Sequence, residues 1–160
     1  RVLSAASDST VGSLEDIDGF GADEVYAVGF RGEIWRYDGR GWASVPSPTR
    51  LLLNAVCCAG DGTAYACGLR GTLVQGRGAA WESIELNLDV PQDLFDLCWF
   101  QGRLYLASLH TVFVLDNGSA RPVNTGATTS GKLSTDGQVL WSIGAKHVMA
   151  FDGQQWQRID

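Results

Sequence analysis

The sequence contains no run of apolar residues long enough to cross a membrane. Apolar runs such as Leu51–Leu53 and Val112–Leu115 are the length of β-strands, whereas a membrane helix needs roughly 18 or more consecutive apolar residues. No signal-peptide pattern is present, but the chain starts at Arg1 rather than Met, so a processed or truncated start stays open. We expect a cytoplasmic protein that does not bind membranes.

Positive charge is also scarce. The 12 Lys and Arg residues stand against 18 Asp and Glu residues, which gives a net charge of −6 and a pI of about 4.8. Nucleic acids and anionic membranes attract proteins through positive surfaces. The composition therefore argues against nucleic-acid binding and favours a basic protein as the partner.

Residues that carry catalysis or bind metals are few and lack the spacing of known motifs. His110 and His147 are the only histidines, and neither lies in a Gly-x-Ser-x-Gly or His-Glu-x-x-His motif. The cysteines match no zinc pattern and no Cys-x-x-Cys pair; they are Cys57, Cys58, Cys67 and Cys98. We expect buried, reduced thiols, no metal, no cofactor and no enzymatic activity.

Four copies of one pattern follow each other along the chain. Residues Tyr26–Ile34 (YAVGFRGEI) align with Tyr65–Leu73 (YACGLRGTL) at an offset of 39 residues, and the same offset pairs Trp42 with Trp81 without a gap. Such self-similarity at a fixed period indicates a repeat architecture. The aligned segments of the four copies start at Tyr26, Tyr65, Tyr105 and Trp141.

Each copy divides into four short strands separated by Arg-Gly, Asp-Gly or Asn-Gly turns. In the first copy we predict strands at Leu14–Gly19, Glu24–Phe30, Glu33–Tyr37 and Trp42–Val45. Four-stranded units of roughly 40–45 residues are typical of β-propeller blades. We therefore predict one all-β domain over residues 1–160, a β-propeller of four blades with four antiparallel strands each, at about 14–46, 52–86, 93–124 and 132–160.

The first residues leave the closure of the propeller open. Arg1–Ser4 resembles the end of an outer strand, so it is either an extra edge strand or a sign that the chain is the C-terminal part of a longer propeller. Four blades can close into a ring, but larger rings also occur. The alternative is a half-ring that another chain completes.

With the segments Tyr26–Gly32 (YAVGFRG) and Trp35–Trp42 (WRYDGRGW), the chain resembles bacterial propellers of the WD40/YVTN/BNR-like superfamily over about residues 14–160. The Trp-Asp dipeptide of true WD40 repeats and the Ser-x-Asp-x-Gly-x-x-Trp box of sialidases are missing, so the resemblance implies no glycosidase site. Some proteins of this type are immunity proteins encoded beside secreted toxins. The resemblance thus implies a protein partner, a toxin domain or a second propeller segment.

A basic residue follows the second strand of every copy, namely Arg31, Arg70, His110 and Lys146. Equivalent turns of a propeller lie on one face, so these side chains would form an arc that binds carboxylates or phosphates of a partner. The alternative is that they are solvated turn tips without a ligand.

The other turns of each copy are rich in acidic residues and lie on the opposite face. Many would bond to their own backbone as turn formers, yet together they predict a negative face that speeds encounter with a basic protein. We take Asp38 and Asp152 as candidate partner contacts. The full set is Asp18, Asp23, Glu24, Asp38, Asp61, Asp116, Asp136 and Asp152.

Of the six tryptophans, Trp141 replaces the repeat tyrosine and should lie in the core, and the other five divide into two groups. Three occupy one slot of the repeat and should pack between blades: Trp42, Trp81 and Trp156. Trp35 and Trp99 lie outside that slot and are candidate partner contacts, because Trp is enriched at binding hot spots. If the slot were exposed instead, the corners Asp38–Trp42 and Asp152–Trp156 would suit a carbohydrate ligand.

Protein binding without catalysis is the leading interpretation, as an immunity, neutralising or scaffolding partner of a toxin or another basic protein. A carbohydrate-binding propeller is the alternative. A third hypothesis is an enzyme that uses carboxylates near the starts of the inner strands, from the pairs Glu15-Asp16 and Asp93/Asp96, one of which would need a raised pKa.

Overall fold

A computed structural model describes residues 12–160, which form four antiparallel β-sheets of four strands each. In every sheet the strands pair in chain order, so each sheet is a simple meander. The prediction of an all-β fold with four-stranded blades is confirmed. The expected edge strand at Arg1–Ser4 lies outside the described residues.

The four sheets, blades 1 to 4, have short strands. Blade 1 contains β1 (Leu14–Gly21), β2 (Glu24–Gly29), β3 (Ile34–Tyr37) and β4 (Trp42–Val45). Blade 2 contains β5 (Leu53–Cys58), β6 (Ala64–Gly68), β7 (Leu73–Arg77) and β8 (Ala80–Ile84). Blade 3 contains β9 (Leu94–Phe100), β10 (Arg103–Ser108), β11 (Val112–Asp116) and β12 (Ser119–Val123). Blade 4 contains β13 (Lys132–Thr135), β14 (Leu140–Ile143), β15 (Val148–Phe151) and β16 (Trp156–Arg158).

Neighbouring blades bury each other's apolar faces. The second strands are apolar on both sides, and β6 is buried along its whole length. Tyr26, Val28 and Ile34 of blade 1 pack against Val56 and other apolar residues of blade 2. Equivalent clusters lie between blades 2 and 3 and between blades 3 and 4. Continuous apolar strands are thus explained by sheets that are covered on both faces.

Polar side chains of the inner strands tie each blade to the next. β1 packs on β5, β5 on β9 and β9 on β13. At each of these joints a side chain bonds to the next blade's backbone, which satisfies both groups inside the joint. The bonds are Val56 N–H to Asp16 Oδ2 (2.9 Å), Cys58 N–H to Asp18 Oδ2 (2.7 Å), Asn54 Nδ2 to Leu94 O (2.7 Å) and Leu133 N–H to Asp96 Oδ2 (2.8 Å).

The row of blades does not close into a ring. Ile17 of β1 and Ile143 of β14 lie at its two ends, and they are 59% and 49% exposed. Both belong to strands whose counterparts inside the row are packed between blades. Residues 12–160 therefore form a partial propeller in which the first and the last blade do not meet.

Candidate functional site

The four basic side chains of the repeat lie at one end of the sheets, in what we call the basic-turn face (Arg31, Arg70, His110 and Lys146). Each follows the second strand of its blade, and all are exposed. In blades 1 and 2 the turn spans five residues, closed by Gly29 N–H to Glu33 O (3.1 Å) and Gly68 N–H to Thr72 O (3.0 Å). Blades 3 and 4 use four-residue turns instead. The arc therefore consists of two pairs with different backbone geometry.

Arg31 and Arg70 have left-handed backbone conformations, with φ of 57° and 56°. This region is unfavourable for a residue with a Cβ, apart from Asn and Asp. Among residues 12–160, no salt bridge involves either guanidinium. Arg31 lies 5.5 Å from the centroid of the Phe30 ring, and the Arg70 N–H donates to Asp93 Oδ1 at 2.8 Å. Two exposed cations thus stand on turns whose backbone geometry is nearly the same.

An open groove of about 370 Å³ lies beside Arg70. Thr49 from the β4–β5 connection and Leu88 from the β8–β9 connection contribute to its walls. Such a groove at the basic-turn face would accept one or two side chains of a partner protein. Its lining is mixed polar and apolar, with Ile84 and Glu85 both present.

The opposite end of the sheets, the acidic-turn face, carries Asp23, Glu24, Asp38, Asp61, Asp116, Asp136 and Asp152 in or next to the hairpin turns. Asp38 Oδ1 accepts the N–H groups of Arg40 (2.9 Å) and Gly41 (3.0 Å). Asp152 Oδ1 accepts those of Gln154 (2.8 Å) and Gln155 (2.9 Å). These backbone donors lower the pKa of both carboxyl groups, so both stay ionised.

Not every acidic residue of the repeat belongs to this face. Asp18 lies within β1, where it bonds to the backbone of blade 2 rather than forming a turn. Glu24 is paired with Arg77, whose Nη2 lies 2.7 Å from Glu24 Oε2. Seven acidic residues nevertheless face four arginines at this end, which are Arg40, Arg77, Arg103 and Arg121, the last paired with Asp116 at 3.2 Å. The acidic-turn face therefore carries a net negative charge.

The tryptophans of the repeat slot are half-buried and pack on neighbouring aromatic rings. Trp42 lies 5.5 Å from Tyr37, Trp156 stacks on Phe151 at 5.0 Å, and Trp81 meets Tyr26 of blade 1 at 5.5 Å. A carbohydrate ligand needs an aromatic face that is open to solvent. The Asp-Gly-x-x-Trp corners thus use their rings for packing.

Trp35 and Trp99 are also half-buried. The Trp99 ring stacks on Tyr65 at 6.3 Å and joins the core between blades 2 and 3, so it contributes to packing. Trp35 lies on the face of blade 1 that points away from blade 2, and its Nε1 donates to Glu33 Oε2 at 3.3 Å. The two tryptophans therefore lie in different surroundings.

The carboxylates of the inner strands act as bridges between blades. Asp16 and Asp96 accept backbone N–H groups of the next blade, and Asp93 accepts the N–H of Arg70. Glu15 Oε1 accepts the Ser13 hydroxyl at 2.8 Å. Burial raises the pKa of Asp96, while its bond to the Leu133 N–H opposes that shift. All four groups have structural partners, and sequence patterns alone did not indicate this bridging role.

All four cysteines have free thiols. Burial raises the pKa of Cys57 to about 11 and those of Cys58 and Cys98 to about 12; that of the fully buried Cys67 also rises well above its usual value. These thiols are therefore protonated at neutral pH and behave as small apolar side chains. Across residues 12–160, no group of three or more His, Cys, Asp or Glu residues is arranged to hold a metal ion.

Solved structures of low sequence identity share the fold of this chain. The chain superimposes on YCF48 bound to D1 peptide with a TM-score of 0.68 and 16% identity, over 94% of this chain and 54% of that one. For the WD40 β-propeller domain of Doa1 the TM-score is 0.65 at 14% identity, over 89% of this chain and 52% of that one. The chain is a partial β-propeller. At such identities the likeness shows the fold alone.

No protein-family model matches the chain. A curated protein does: the chain is 50% identical over 159 residues to "Immune protein Tsi7" of Pseudomonas aeruginosa. The match takes in 98% of this chain and 51% of the relative, so the propeller spans about half the length of that protein. In residues 12–160, no helix has the length and apolarity that crossing a membrane requires.

Proposed function

We propose that this propeller is an immunity protein, which neutralises a bacterial toxin by binding it and performs no chemistry. The observation that carries the proposal is the 50% identity to an immune protein across 98% of the chain. The fold supports it, because rigid blades present turn residues with little loss of conformational entropy on binding. The carboxylates that an enzyme would need are engaged in joining blades.

The acidic-turn face is the proposed contact surface for a basic toxin domain. Asp38 and Asp152 keep their charge because backbone N–H groups lower the pKa of each. The turns also fix the direction of both carboxylates, so a partner need not order them. With a net charge of −6 for the whole chain, this face would attract a basic partner over several ångströms.

The basic-turn face is a second candidate, for a partner that presents carboxylates. It is favoured by the exposure of Arg31 and Arg70 and by the fixed, left-handed backbone on which each side chain stands. His110 and Lys146 would extend that contact. Trp35 would contribute at the rim, whereas Trp99 would act only through packing.

Growth protection tests the proposal and distinguishes the two faces. We expect the wild-type propeller to rescue bacteria that express a toxin domain encoded beside the gene of this chain. The double variant Asp38→Asn with Asp152→Asn keeps the Oδ1 acceptors of both turns and removes two charges. The matched variant Arg31→Asn with Arg70→Asn removes two charges and keeps residues that tolerate the left-handed region.

We expect the Asp double variant to lose protection and to bind the toxin domain roughly tenfold to hundredfold more weakly. The Arg double variant should protect like wild type. Loss of protection only in the Arg variant would move the site to the basic-turn face. A wild-type propeller that neither binds nor protects would contradict the immunity function itself.

A cytoplasmic location is part of the proposal. Four unpaired thiols suit a reducing compartment, where an immunity protein would protect the cell that makes the toxin.

A further inference from the structure

The hairpin tip between β11 and β12 is the one place in the sequence where asparagine precedes glycine. Asn117 and Gly118 form a two-residue turn that the Asp116–Ser119 pair closes. Their φ angles are 49° and 78°, as in the type I′ hairpins that favour Asn-Gly. Both residues are exposed, and a Cβ built at Gly118 would meet no atom within 4 Å. The tip thus projects into solvent, where little opposes its local rearrangement.

The side chain of Asn117 differs from those of the other three asparagines, each of which takes part in a hydrogen bond. These bonds are Asn54 Nδ2 to Leu94 O (2.7 Å), Asn87 Nδ2 to Ser119 Oγ (3.2 Å) and Gly126 N–H to Asn124 Oδ1 (3.0 Å). Within residues 12–160, the Asn117 amide has no such partner, and the Gly118 N–H donates to no backbone carbonyl. The two groups are therefore free to react with each other.

We propose that Asn117 is a deamidation site, at which the backbone nitrogen of Gly118 attacks the side-chain amide carbon. A bond forms between that nitrogen and Asn117 Cγ, the Gly118 N–H proton is lost, and the amide nitrogen leaves as ammonia, which gives a five-membered succinimide. Water then opens the ring at either carbonyl and produces aspartate or isoaspartate. The whole sequence consumes one water and releases one ammonia. Glycine favours ring closure because it has no Cβ to crowd the approach.

Other left-handed turn residues lack one requirement of this reaction. The tip Gln101–Gly102 connects β9 to β10 with φ of 47° and 77°. A glutamine would have to close a six-membered ring, however, and Gln101 Nε2 also donates to Asp152 O at 3.5 Å. Asn87 matches Asn117 in exposure and has φ of 52°, but a leucine follows it. The combination of an unbonded asparagine with a following glycine therefore sets Asn117 apart.

Deamidation adds a carboxylate to the acidic-turn face. Asn117 follows Asp116 directly, and the corresponding turns of blades 1 and 4 contain Asp38-Gly39 and Asp152-Gly153. The aspartate product gives blade 3 the same Asp-Gly pair and changes the net charge of −6 to −7. This inference concerns the free chain and does not depend on the proposed function.

Peptide mapping of the folded 160-residue chain by mass spectrometry tests the inference. During incubation at mildly alkaline pH, where hydroxide removes the Gly118 proton more readily, Asn117 should gain about 1 Da because O–H replaces NH₂. Asn87, Asn124 and Gln101 are internal controls and should keep their mass. Digestion at mildly acidic pH prevents the reaction during sample preparation.

Isoelectric focusing should show a more acidic species that grows with time and migrates with the variant Asn117→Asp. Asn117→Ser lacks the amide and should lose that species completely. Asn117 that stays intact in the folded chain would overturn the inference, and its conversion in the chain unfolded by guanidinium would then show that the hairpin protects the site. Equal conversion of Asn117, Asn87 and Asn124 would overturn it too, because the tip would then have no reactivity of its own.

Discussion

At the residue scale, the inner strands contain bonds that hold successive blades together. Asp16 is half-buried, and its carboxylate accepts the N–H of Val56 at 2.9 Å across the joint between blades 1 and 2. Without that acceptor, the Val56 N–H would have no hydrogen-bond partner in a joint that water reaches poorly. A buried polar group without a partner costs about 1–3 kcal/mol.

Asp16→Ala should therefore lower the free energy of unfolding by about 1–2 kcal/mol. Asp16→Asn is the matched control, because its Oδ1 still accepts the Val56 N–H, and we expect a loss of less than about half that amount. Urea unfolding followed by tryptophan fluorescence measures both. Equal losses in the two variants would show that the carboxylate charge, rather than the bond, stabilises the joint.

The sequence could not reveal these bonds. Every residue except proline has a backbone N–H, so the residue types at Val56 and Leu133 do not indicate that a side chain of the preceding blade accepts a hydrogen bond there. In addition, the slot that holds Asp16 and Asp96 holds Ala55 in blade 2, where Asn54 supplies the bond from the neighbouring position. The repeat therefore conserves a bridging contact without conserving the residue.

At the scale of the elements, turns decide how strands and connections fit together. Gly32 is the fourth residue of the five-residue turn of blade 1, Gly29–Glu33, and has φ of 73°. A Cβ at this position would collide with the carbonyl oxygen of Thr49, in the connection that leads to blade 2. The glycine thus allows a close approach of two backbone segments.

Gly32→Ala should destabilise the protein by about 2 kcal/mol or more, since it adds a steric clash to the cost of a left-handed alanine. Gly118→Ala is the matched control. Gly118 has φ of 78°, but its surroundings are open, so only the conformational cost of about 1 kcal/mol remains. Thermal unfolding compares the two variants. Equal melting temperatures would contradict the role of the Thr49 contact.

The strand positions could be predicted from the sequence, because the four strands of each blade are consecutive in the chain and pair in that order. The turn signals and the Tyr and Trp slots predicted the strands of blade 1 to within two residues. The surroundings of Trp99 were not predictable in this way. Its ring is covered by Tyr65 of the preceding blade, and a contact between blades depends on the angle at which two sheets meet.

At the scale of the whole molecule, the described blades form an open row, with the acidic-turn face at one end of the sheets, the basic-turn face at the other, and Ile17 and Ile143 exposed on the two outer flanks. The repeat period predicts a row of blades but not which blade faces lie at the outside of the row, because Ile17 and Ile143 resemble their internal counterparts in sequence. Only the structure shows that nothing within residues 12–160 covers them.

The claim that the acidic-turn face binds the toxin is tested most directly by hydrogen–deuterium exchange of the propeller, free and in complex with the toxin domain. We expect the complex to slow exchange in the turns that contain Asp38–Gly41 and Asp152–Gln155. Exchange in the basic turns Gly29–Glu33 and Gly68–Thr72 should stay unchanged. Slowed exchange in the basic turns alone, or no change in any turn of a formed complex, would contradict it.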